Sequence, residues 1–79
     1  MTAAGKIDEK KDSYLLKKIG ENLRKLREKN KLSKLQLAVL SYTDRSYLAE
    51  VEEGKANPSM KFLYKLLKIL KTETSILFE

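Results

Sequence analysis

SKLQLAVLSYTDRSYLAEVEEGKANPS, residues 33–59, carries two short helix patterns, a tight turn between them and the start of a third helix. Ser33 is placed to cap the first, and Leu37, Ala38 and Leu40 give it an apolar side. Asp44 is placed to cap the second, in which Leu48 and Val51 stand three apart and share a face. Gly54 stops that helix. Asn57-Pro58-Ser59 is a helix-start signature, with Asn57 as cap and Pro58 at the first helical position. The spacing predicts helices over residues 33–41 and 44–53. Two short helices joined by so brief a turn have helix-turn-helix geometry, in which the second helix presents its N-terminal half to a DNA groove.

Upstream, Leu16, Ile19, Leu23 and Leu26 recur at three- and four-residue steps with Leu15 alongside, ahead of the polar Lys29-Asn30-Lys31. That predicts a first helix capped by Asp12 or Ser13 and ended near Asn30. Gly20 inside it costs about 1 kcal/mol against Ala, which fits either close helix packing or chance. Residues 1–12 are polar and aperiodic, and read as a flexible arm. Downstream, a fourth helix runs to about Leu70 with Met60, Leu63, Leu66, Leu67 and Leu70 serving the core. Thr72 or Thr74 starts a final short turn holding Ile76, Leu77 and Phe78. The expected architecture is all-α, a five-helix bundle with a central helix-turn-helix, comprising the arm (1–12) and one domain (13–79).

Seventy-nine residues make one small domain with a single core. The chain has no Cys, so stability must come from packing and capping, and a reducing cytoplasm suits it. Lys or Arg interrupts every apolar run, which leaves no signal peptide or membrane span. With no His and no Cys the commonest general base and the best nucleophile are missing, and the three Gly are scattered singly. Glu52 and Glu53 are adjacent on a helix and point about 100° apart, so they cannot share a substrate. An enzyme, a metal site, a cofactor and a small-molecule ligand are therefore not expected.

The net charge of +6 favours a polyanionic partner, but it is unevenly placed. Residues 13–32 carry seven basic and two acidic side chains, whereas 33–53 carry Lys34 and Arg45 against Asp44, Glu50, Glu52 and Glu53. The expected reading helix is thus the acidic part of a basic chain. Phosphate affinity comes from Lys and Arg. Either flanking segments hold the phosphates while a few side chains read bases, or this helix faces another kind of partner.

The order and spacing of several short motifs resemble the phage repressor/Cro-type helix-turn-helix family, also called the XRE family. The likeness covers about residues 19–78. It is carried by Ile19-Gly20, Leu23-Arg24-x-Leu26-Arg27, Ser33-x-x-x-Leu37-Ala38, Arg45-Ser46-Tyr47-Leu48, Val51-Glu52-x-Gly54-Lys55, Asn57-Pro58-Ser59 and Leu77-Phe78. The segment SYTDRSYL, residues 41–48, is similar to the restriction–modification controller proteins, a small dimeric branch. The resemblance implies a structural pair between Arg27 and Glu52 that pins the reading helix to the first helix. It implies base reading by Arg45, Ser46, Ala49 and Glu50. Arg45 suits guanine O6 and N7, Glu50 cytosine N4 and Ala49 a thymine methyl. Glu50 also has a plain reading as a solvated face. Phosphate contacts fall to Lys34, Lys55, Asn57 and Lys61, with Lys29 and Lys31 nearby, and the remaining lysines read as solubilising charge.

Three departures from the family pattern bear on geometry. Lys34 stands where family members usually carry Gln. Tyr42 stands where Gly is frequent, so either the turn differs or Tyr42 accepts a left-handed backbone, its ring capping the helix junction. Lys71 replaces a usual helix-ending Gly. Phe62, Ile69 and Ile76, spaced by seven, form an apolar stripe beyond what the core needs, the mark of an interface. The expected partners are double-stranded DNA and a second copy of the chain, a homodimer on a palindromic site. The alternative is a protein-interaction module on the same fold, antitoxin- or coactivator-like, with the acidic helix facing protein.

Overall fold

The computed structural model describes residues 9–72, with side chains from residue 13. Four helices follow in order: α1 (Glu9–Lys29), α2 (Lys34–Ser41), α3 (Arg45–Glu52) and α4 (Met60–Ile69). There is no strand among the described residues. The fifth helix expected from Ile76, Leu77 and Phe78 lies outside them, as do residues 1–8 of the expected arm.

Two helix starts differ from expectation. Residues 9–12 belong to α1, so Asp12 and Ser13 lie inside the helix and not at its start. Glu9-Lys10-Lys11 are good helix formers with neither Gly nor Pro among them, and propensity carries the helix past the cap candidates. The fourth helix opens at Met60 with Ser59 as its cap, not at Pro58 with Asn57. The Phe62 N–H donates to Ser59 Oγ at 3.1 Å. Ser caps a helix as well as Asn does.

Leu23, Leu37, Leu48, Leu66 and Leu67 are fully buried at the centre, joined by Ile19, Leu26, Ala38, Val51, Leu63 and Leu70. Every helix thus contributes, and α3 is held against α1 on one side and α2 on the other. Met60 and Leu40, expected on the apolar faces, are exposed instead. On α2 the buried stripe is Leu37, Ala38 and Ser41, the last with its hydroxyl donating to Leu37 O at 2.8 Å. Satisfying that hydroxyl on its own helix lets a serine take the place an apolar residue would fill.

All four helices close the same way. The N–H of Leu32, Thr43, Lys55 and Thr72 donates to the carbonyl five residues back, at 2.9–3.1 Å. The residues before them, Lys31, Tyr42, Gly54 and Lys71, have φ of 59°, 56°, 76° and 55°. This is the closure that favours glycine, yet three of the four positions carry side chains. Tyr42 therefore does accept the left-handed backbone. Its ring caps no junction, because its surface is 94% exposed.

Candidate nucleic-acid interface

The local chemistry of the helix-turn-helix starts at Ser33. Its backbone N–H donates to Gln36 Oε1 at 2.7 Å, and Gln36 N–H donates to Ser33 Oγ at 3.0 Å. This reciprocal box fixes the first turn of α2. Asp44 holds the cap position of α3 with extended backbone but makes no side-chain cap hydrogen bond. The N-terminus of α3 is thus set by its surroundings rather than by its own cap.

Arg27 anchors the opposite end of α3. Its Nε donates to Glu52 Oε2 at 2.7 Å and its Nη2 to Glu52 Oε1 at 3.0 Å, a bidentate pair between α1 and the end of α3. The third nitrogen, Nη1, donates to the carbonyl of Leu32 at 2.8 Å, just ahead of α2. One guanidinium therefore ties the end of α3 and the approach to α2 to α1. Both partners are buried. The hydrogen bonding it donates to Glu52 raises the Arg27 pKa above its ordinary value against the opposing effect of burial. A raised pKa makes the pair's contribution present below the ordinary arginine range and lost only above it, so Arg27 stays charged throughout neutral conditions.

Gly20 adds a second constraint. A Cβ there would lie 2.5 Å from Glu52 O and against Val51 O, so only glycine lets α1 meet the last carbonyls of α3. Gly54 sits likewise against the backbone of Lys17.

With α2 and α3 held this way, Arg45, Ser46 and Ala49 line one cleft together with Ser33, Lys34 and Leu35, and Arg27 forms its floor. Three expected base readers and one expected phosphate ligand are thus brought together. Arg45 and Ser46 are exposed, and Ala49 is half-buried. Glu50 is exposed but does not line the cleft. Lys55 and Asn57 are exposed on the loop after α3, where Lys55 Nζ lies 3.1 Å from Glu53 Oε1. That pair is solvated, so it competes only weakly with a phosphate.

Lys61 lies elsewhere, on the rim of a groove between the end of α2 and α4 that Phe62, Ile69, Leu40 and Tyr42 also line. Phe62 packs edge-on against Tyr47, with ring centroids 5.3 Å apart and an interplanar angle of 72°. Lys65 and Lys68, expected as plain solubilising charge, stand over the rings of Phe62 and Tyr64 at 5.6 and 5.4 Å. Ile76, the third member of the expected interface, lies outside the described residues. Sequence reasoning missed Leu35 as a cleft residue. Its position off the Leu37–Ala38 face was the available signal.

Known proteins are similar in sequence and fold. A family model described as "Helix-turn-helix" (HTH_3) matches residues 23–77. The HTH-type transcriptional regulator SlrR of Bacillus subtilis is 40% identical over 62 residues, 77% of this chain and 41% of that protein. The chain spans about two fifths of the length of the curated relatives it matches. Among solved structures, the restriction–modification controller protein C.AhdI of Aeromonas hydrophila is 44% identical with a TM-score of 0.76, covering 80% of this chain and 96% of that one. The controller protein C.Esp1396I, solved as a tetramer with its natural 35 base-pair operator, is 28% identical with a TM-score of 0.73, covering 82% and 86%. Arg27 clamping the two elements of the central motif, and the family match over most of the chain, identify this protein as a member of the HTH_3 helix-turn-helix family.

Proposed function

We propose that this chain is a sequence-specific DNA-binding transcriptional regulator, cytoplasmic and without enzymatic activity, whose α3 enters the major groove. The observation that carries this reading is the cleft in which Arg45, Ser46 and Ala49 stand beside Lys34, with both contributing helices clamped by Arg27. Arg45 is the one basic side chain on α3, and it projects from its first turn. It is suited to guanine, while Ser46 and Ala49 flank it with short side chains that let the backbone approach the base edges. Glu50, further along the helix, is proposed to accept from cytosine or to exclude wrong sequences by charge. Lys34, Lys55, Asn57 and Lys61 supply phosphate contacts, which compensates for the acidic character of α3 itself.

The chain acts as a homodimer in this reading. Phe62 and Ile69 are only partly buried against the core and open into the groove beside α4. A second copy seated there, with Ile76 contributing from the C-terminal end, would place two reading helices about one DNA turn, roughly 34 Å, apart on a palindrome.

Titration against duplex DNA at two salt concentrations tests the function. Binding that weakens as salt rises and exceeds binding to random sequence supports it. Salt-insensitive binding, or none, would favour the protein-interaction alternative, in which the exposed Glu50 and Glu53 face a protein.

A further inference from the structure

Leu35 shares the cleft with Arg45, Ser46 and Ala49. It is the second residue of α2, and 55% of its surface is exposed. It takes no part in the core, which α2 reaches through Leu37 and Ala38. Its backbone is nonetheless constrained, because the Ser33–Gln36 box brackets it and Arg27 holds the carbonyl of Leu32 just ahead of that box. A side chain presented from so constrained a platform, at the edge of a DNA-reading surface, is positioned to discriminate.

Leucine has neither donor nor acceptor, so it cannot hold a phosphate or a base heteroatom. The group it can recognise on a major-groove edge is the C5-methyl of thymine. We propose that Leu35 is a specificity-determining residue that selects thymine, through its methyl group, at a base pair neighbouring the one met by Arg45. This rests on the DNA-reading function proposed above and adds to it a contact from α2, the helix otherwise assigned only to phosphate.

Leu35 also borders Leu32, Val39 and Leu40 along the outer side of α2, so its exposure alone has a simpler explanation as part of an apolar surface strip. The experiment must isolate the methyl group. Each thymine of a selected binding site is replaced in turn by uracil, which keeps the pairing and O4 and removes only the methyl. Wild type should lose about fourfold in affinity at one thymine per half-site, the equivalent of one buried methyl-sized group. Leu35→Ala should bind the thymine and uracil sites equally at that pair, keep the guanine preference due to Arg45, and melt as wild type does.

Indifference of the wild type to uracil at every position overturns the proposal. So does a Leu35→Ala variant that retains the full methyl dependence, since the contact then belongs to Ala49 or to another side chain. If no site is enriched at all, the DNA-reading function itself has failed before uracil is introduced, and the proposal falls with it.

Discussion

Arg27 shows how one side chain can set two parts of a surface. Its fork holds Glu52 while its remaining nitrogen holds the Leu32 carbonyl, all out of water. Arg27→Met would leave Glu52 charged and buried with no partner. Breaking a buried pair from one side costs roughly 3–5 kcal/mol, which a chemical denaturation curve would register directly. Arg45 lies at the opposite extreme, exposed and without structural duty. Arg45→Ala should leave the melting temperature unchanged and cost about 1–3 kcal/mol on the preferred site, with relaxed preference at one base pair per half-site. Equal loss on specific and random DNA would reduce Arg45 to a phosphate contact. The Arg27–Glu52 partnership was legible through the family resemblance, but the Leu32 contact was not. A backbone carbonyl looks the same in every residue, so no sequence pattern announces it as an acceptor.

Among the elements, helix interiors were easier to read than helix ends. The periodic Ile19, Leu23 and Leu26, and the pair Leu48 and Val51, all reach the core because burial of an apolar face overrides local detail. The start of α4 slipped by two residues because Asn57 and Ser59 are both competent caps, and the choice falls to the packing of Leu63 and Leu66. Leu40 and Met60 were misplaced for a related reason. An eight-residue α2 has little more than two turns with which to meet the core, and Ser41 takes the position that pattern alone gives to a leucine.

Two substitutions test the element-level account with opposite signs. Tyr42→Gly removes a side chain that packs on nothing and relieves a left-handed backbone. The relief of about 1–2 kcal/mol exceeds the added chain entropy of glycine, so stability should rise by roughly 0.5–1 kcal/mol. Gly20→Ala, normally favourable in a helix, should instead destabilise by roughly 1–3 kcal/mol because the new methyl meets backbone oxygens of α3 that cannot yield. Thermal melts of both variants give the signs, and a stabilising Gly20→Ala would contradict the close approach.

At the scale of the whole molecule, the chain separates its charge by task. The α1 and α4 segments are basic, the central motif is acidic, and the groove beside α4 is rimmed by Lys61, Lys65 and Lys68 with no acidic side chain among its lining residues. A symmetric contact through that groove would bring lysines of two copies near one another. Self-association should therefore tighten as salt rises, while DNA binding weakens. Sedimentation at two ionic strengths checks the first half, and Ile69→Lys should leave the chain monomeric. A wild type that is monomeric at every salt concentration removes the dimer from the account without touching the reading surface.

Whether α3 reads sequence from the cleft it shares with the start of α2 is decided by selecting bound duplexes from a random DNA library and sequencing them. A two-fold symmetric motif containing a guanine in each half should be enriched, with preference at that guanine lost in Arg45→Ala. A library that emerges from selection with no enriched motif would contradict sequence reading by α3.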